Sequence, residues 1–111
     1  MIKEYNKLVR DNIIDIITAN NKTPFYNVLN DPNEYKEAII NKFDEELLEL
    51  KNSNNRDNTL EELADIFELI RAYAIFNNSS LDEIANIANN KNSKNGSFSK
   101  KLFLVKVFED E

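Results

Sequence analysis

Histidine and cysteine are both absent from this chain, which removes much of the usual catalytic repertoire. Without them there is no Ser–His or Cys–His relay, no histidine-bearing zinc site and no thiolate ligand. A disulfide framework is excluded too, and with it any sequence signal of redox compartment. A metal site here must consist of oxygen donors, which suit Mg²⁺, with Mn²⁺ as a substitute. Glycine occurs once and proline twice, so long helices meet few interruptions. No apolar run approaches the length of a membrane span, and the opening MIKEYNKLVRDN lacks the apolar core of a signal peptide. A cytoplasmic protein without membrane contact is the expectation.

What is present fits one globular domain covering all 111 residues, with 41% hydrophobic and 31% charged side chains. The formal net charge of -6 argues against duplex nucleic acid as a partner, because binding it requires neutralising phosphates with Lys and Arg. One small polyphosphate remains compatible, since a bound cation reverses the local sign.

The pattern of apolar residues predicts an all-α antiparallel bundle of about four helices, with a short C-terminal strand. The first helix is expected from about Leu8 to Ala19, where Asn20–Thr23 and Pro24 stop it. Phe25 to Asn30 is an apolar connector. Asp31 and Pro32 form an N-cap and first-turn pair for a long helix to about Lys51. The polar Asn52–Asn58 is expected as a loop short enough to make the flanking helices an antiparallel hairpin. A third helix is predicted from about Thr59 to Phe76. Ser80 and Glu83 form a capping-box pattern for a fourth, to about Asn89. Lys91–Ser99 is then expected as a basic loop, and Lys101–Phe108, dense in β-branched and aromatic residues, as the strand.

Acids fall on the faces that should be buried. With about 100° per residue, Tyr35, Ile39, Phe43 and Leu50 share an arc of roughly 80° on the second helix. Glu46 projects inside it, Glu49 lies on its edge, and Glu45 points towards solvent. The third helix has a broad apolar side made by Leu63, Ile66, Phe67, Leu69, Ile70, Tyr73 and Phe76. Glu62 projects between Leu69 and Tyr73, and Asp65 near Phe76. Each helix of the hairpin thus turns an i, i+3 acid pair inwards. Burying a lone carboxylate costs several kcal/mol, so the group pairs or stays protonated. Lys42 is placed at the margin of this face and Arg71 points elsewhere, so a divalent cation is the simplest resolution. A solvated acidic helix is the ordinary alternative for each acid taken singly, and Thr59 with Glu62 could form a capping box.

Read together, Glu45-Glu46-Leu47-Leu48-Glu49, twelve residues, then Glu62-Leu63-Ala64-Asp65 resemble the EExxE…ExxD signature of the all-α nucleoside triphosphate pyrophosphatases, the MazG-like superfamily. That group includes phosphoribosyl-ATP pyrophosphohydrolases and dimeric dUTPases. The opening Tyr5-Asn6-Lys7-Leu8-Val9-Arg10-Asp11 is similar to the YNKLVRDK start of its small phosphoribosyl-ATP pyrophosphohydrolase-like branch. Lys91 and Asn95-Gly96-Ser97-Phe98 stand where that branch has a Lys and an RGGF-like turn. Asn95 replaces the usual Arg, Ser97 a Gly, and Asn12 a Lys, so positive charge is lost at two places.

The resemblance implies that Glu46, Glu49, Glu62 and Asp65 ligate Mg²⁺, with Glu45 close by to orient or activate water. The catalytic set would be Glu45, Glu46 and Glu49. Lys7, Arg10 and Lys91 are the candidate phosphate contacts, and Tyr73 or Phe98 could stack on the base, with core packing the favoured role of Tyr73. The implied reaction is hydrolysis of a nucleoside triphosphate at the α–β anhydride, giving monophosphate and pyrophosphate, in nucleotide-pool house-cleaning. Phosphoribosyl-ATP hydrolysis in histidine biosynthesis is one alternative, and a catalytically inactive helical interaction protein is another. A carboxylate-bridged di-iron bundle is set aside because it wants Glu-x-x-His pairs. A chain this short leaves little wall for a nucleotide, and the apolar side of the third helix exceeds what one neighbour covers. Both features predict a homodimer or higher homo-oligomer.

Overall fold

The computed structural model describes residues 1–110 and holds four helices, with no strand among the described residues. They are α1 (Ile13–Ala19), α2 (Pro32–Asn52), α3 (Arg56–Phe76) and α4 (Leu81–Asn95). The all-α class is as expected. α2 and α3 run along each other as an antiparallel hairpin, α4 packs on α3, and α1 packs on no other helix. No helix of the described residues is long and apolar enough to cross a membrane.

The hairpin turn shows how local chemistry sets the register. α2 opens as expected, with the Asp31 carboxylate accepting from the Asn33 N–H at 2.9 Å and Pro32 in the first turn. It ends at Asn52, and only Ser53–Asn55 separate it from α3. The Ser53 hydroxyl donates to the Leu50 carbonyl at 2.7 Å and shares a hydrogen bond with Thr59 Oγ1 at 2.9 Å. Asn55 is the N-cap of α3, its side chain accepting from the Asn58 N–H at 2.9 Å. The third helix therefore begins about one turn before the expected Thr59. Thr59 instead donates back to the Asn55 carbonyl from inside the helix. Glu62 consequently lies in the second turn, and no capping box engages it.

The other ends depart from expectation for identifiable reasons. α1 starts at Ile13, because residues 8–12 follow a non-helical path across the hairpin. Two ion pairs hold that path, Lys7–Glu45 and Arg10–Asp65. α4 continues through Lys91 to Asn95 and is not a loop from residue 91. Its Lys residues are good helix formers and its Asn and Ser residues are mediocre ones but not breakers, and the helix stops only where Gly96 takes φ 83°. Ser80 caps α4 as expected, accepting from the Glu83 N–H at 3.1 Å, while Ser79 hydrogen-bonds the Glu83 carboxylate. The strand expected at residues 101–108 does not form. The described residues offer no second strand to pair with it, and a lone strand leaves its backbone groups unmatched.

The core of a single copy is small. Ile39 on α2 is completely buried and Ala74 on α3 nearly so. Beside them Tyr35 meets Phe76 edge-on at 5.2 Å between ring centroids, and Tyr73 stacks on Phe76 at 5.9 Å. The molecule measures 66 × 35 × 29 Å with a radius of gyration of 18.9 Å. A compact chain of this length would have about 13 Å.

Since Ile39 is the largest completely buried side chain, Ile39→Ala is expected to cost about 2–5 kcal/mol in urea unfolding. Glu37→Ala, on the exposed side of the same helix, should stay within about 0.5 kcal/mol. Equal costs at the two positions would contradict this placement of the core.

Candidate metal centre

The seam between α2 and α3 brings acids of both helices together. Glu46, Glu62 and Asp65 each offer a carboxylate oxygen, and these oxygens lie within 4.8 Å of one another. All three side chains are partly buried. The spacing follows from helix geometry: Glu62 and Asp65 are i, i+3 on α3, so both face Glu46 across the seam. Glu49, the fourth expected ligand, is one turn further along α2. It is exposed and is not one of the three that converge.

Positive charge reaches the cluster from two places. Lys42 is only 16% exposed; its ammonium lies 3.1 Å from Glu45 and 3.7 Å from Glu46. The projection set Lys42 at the margin, but at i, i+3 and i, i+4 its long side chain reaches both acids. From the N-terminal segment, Arg10 donates to Asp65 Oδ1 at 2.8 Å, and Lys7 sits 3.4 Å from Glu45. Glu45 is therefore half-buried beneath Lys7, not free in solvent as its projected angle implied. Sequence reasoning could have ranked Lys42 higher by allowing for the reach of its four-carbon stem.

These cations do not fully compensate the acids. Glu62 Oε2 is buried and has no hydrogen-bond partner. A buried carboxylate oxygen left without a donor is costly, and among native structures such atoms call for an explanation. Burial, together with the neighbouring Glu62 and Asp65 carboxylates, pushes the Glu46 carboxyl above the ordinary glutamate range, against the opposing pull of Lys42. For Glu45 the partial burial also acts upwards. There, however, the hydrogen bonds and charges of Lys42 and Lys7 outweigh it and hold the carboxyl below that range. The donor set is all carboxylate oxygen, which fits a hard divalent cation such as Mg²⁺.

Around this centre the other expected residues are dispersed. Lys91 is exposed on α4 and forms no ion pair among the described residues. Phe98 is almost wholly exposed, and Tyr73 takes part in the aromatic packing. Phe43, one turn of α2 before Glu46, and Tyr73 line an apolar cleft of about 260 Å³ with Ile70, Ala74 and Ile84. That is below the about 300–1,000 Å³ of a complete small-molecule site.

Comparison with known proteins adds little to this geometry. No protein-family model matches the chain. An uncharacterized protein of Mycolicibacterium smegmatis is 44% identical over 55 residues, which make up 50% of this chain and 55% of that protein. The chain thus spans about half the length of the curated relative it matches. No solved structure matches.

The two glutamates at the seam should respond to pH with opposite sign when divalent cations are removed. Glu46 binds its proton more tightly in the folded chain than in the unfolded one. Its contribution is favourable below the ordinary glutamate range and is lost as pH rises through the folded value. Glu45 is the reverse: its contribution is present above that range and is lost as pH falls through the depressed value. Thermal unfolding in EDTA should therefore find Glu46→Gln more stable than wild type at pH 7 and Glu45→Gln less stable. The Glu46 difference should close on acidification to about pH 4, and the Glu45 difference only at lower pH, once its depressed value has been passed. Shifts of the same sign at pH 7 would contradict the charge balance described.

Proposed function

We propose that this chain is a Mg²⁺-dependent nucleoside triphosphate pyrophosphohydrolase of the MazG-like kind, acting in the cytoplasm on the nucleotide pool. The observation that carries the reading is the convergence of Glu46, Glu62 and Asp65, with the Glu62 oxygen buried and partnerless. Lys42 and Arg10 already neutralise part of the acid charge, and one oxygen is still left without a donor. A divalent cation satisfies that oxygen and the raised Glu46 carboxyl together. The sequence resemblance over the acids and the N-terminal segment supports the same assignment.

In this reading Glu46, Glu62 and Asp65 hold the cation, with Glu49 at the exposed edge of the cluster. When bound, Mg²⁺ neutralises charge on the phosphate oxygens as the α–β anhydride breaks. Water oxygen attacks the α-phosphorus and the α–β bridging oxygen leaves with pyrophosphate. Glu45, ionised by its two lysines, orients the water; its lowered pKa makes it a poor proton acceptor. Arg10 is suited to pass from Asp65 to a phosphate, because its own side chain is 58% exposed and solvent-exposed pairs are worth about 1 kcal/mol or less. Its guanidinium then grips the phosphate oxygens in a fork, with Lys7 as a further phosphate contact. The cleft beside Phe43 and Tyr73 takes the base.

That cleft is too small and open to enclose a nucleotide alone, which favours a homodimer or higher homo-oligomer in which a second copy supplies the missing wall.

The test is pyrophosphate release from a panel of NTPs, dNTPs and phosphoribosyl-ATP with and without Mg²⁺. Turnover should require the cation. Glu62→Gln should reduce it by about 100-fold or more with helical content unchanged. A preference for phosphoribosyl-ATP would move the assignment to histidine biosynthesis, and undiminished activity of Glu62→Gln would remove the proposed site.

A further inference from the structure

We propose that residues 101–108 form an exchanged arm that lies on the acidic helical body of a second copy of this chain. The inference rests on the assembly proposed above and names the segment that holds it together. After Gly96 the chain leaves α4 and forms no helix or strand through Asp110. Leu102, Phe103, Leu104, Val105, Val107 and Phe108 are 63–91% exposed, so their own chain does not receive them. From Leu102 to Phe108 the backbone makes no hydrogen bond among the described residues. A run of large apolar side chains with unmatched backbone groups is a segment shaped for a receiving surface.

Charge points to the body of this same protein as that surface. Between residues 84 and 108 there are five lysines and no acid; Glu109, Asp110 and Glu111 follow, so residues 84–111 carry a net charge of +2. Residues 31–83, which make the α2–α3 hairpin and the start of α4, carry fourteen acids against five bases. The acidic body and the lysine-bearing segment that precedes Glu109 are therefore of opposite charge, complementary between two copies. Area gives the second argument. The accessible surface is 10394 Å², whereas a compact monomer of this mass exposes roughly 6,300 Å². The excess, about 4,000 Å² per copy, is more than each partner contributes to an obligate dimer that buries about 2,000–5,000 Å² in total. Half-exposed Leu60, Leu63 and Phe67 on one stripe of α3 provide apolar surface on the receiving side.

Sedimentation of the full chain over a concentration series, combined with amide hydrogen exchange, tests this. The chain should assemble, with the amides of 102–108 protected only at concentrations where the assembly forms. Deleting residues 101–111 should leave a monomer that keeps its helical signal. In the full chain, Phe103→Ser with Val105→Ser should weaken the assembly by about tenfold or more, and raised salt should weaken it too. A deletion that stays assembled would overturn the arm while leaving the assembly intact, and a monomeric full chain would overturn both. Arm protection independent of concentration would place the arm on its own body and overturn the exchange. An arm unprotected in an assembled full chain would do the same.

Discussion

Three carboxylates meeting at the seam of two packed helices are the constraint on which the rest depends. Like charges at this separation repel strongly once water is partly excluded, so the seam needs compensating positive charge. Lys42 does part of this from within α2, and Arg10 does part of it from the N-terminal segment, which is drawn across the hairpin as a result. That segment pays with its helix: residues 8–12 lie along the surface while α1 begins only at Ile13. The buried oxygen of Glu62 remains without a hydrogen-bond partner, and the proposed cation rests on it.

Register at the hairpin turn decides that these acids meet. Because Asn55 caps α3 and Ser53 and Thr59 tie the turn together, Glu62 stands two turns into the helix and faces Glu46. Had Thr59 been the cap, the Glu62 carboxylate would have been drawn back to the helix start. The structural residues of the turn and the acids of the seam are thus one arrangement.

Much of this was legible from spacing alone. The Asp31–Pro32 start, the Ser80 cap and the inward projection of Glu46, Glu62 and Asp65 all follow from local rules or from the 3.6-residue period, which tertiary packing did not override. The errors lie where neighbouring elements or side-chain length intervene. α1 starts only at Ile13, after a segment whose Lys7 and Arg10 pair with residues far away in sequence. The start of α3 went to the Asn55 cap, about one turn ahead of Thr59. Lys42 was misjudged because a projection locates a Cβ and not the end of a flexible chain. The C-terminal strand was read from composition, which reports a fit to a pleated surface but cannot supply the neighbouring strand. The polar stretch before Gly96 remained helical because nothing in it forbids a helix.

The central claim is that the seam selects a divalent cation, and Mn²⁺ titration followed by side-chain carboxyl NMR tests it most directly. Substoichiometric Mn²⁺ should broaden the carboxyl resonances of Glu46, Glu62 and Asp65 before those of the other acids, and excess Mg²⁺ should restore them. Broadening spread evenly over the acidic surface, with these three no more sensitive than Glu37 or Glu61, would contradict the account.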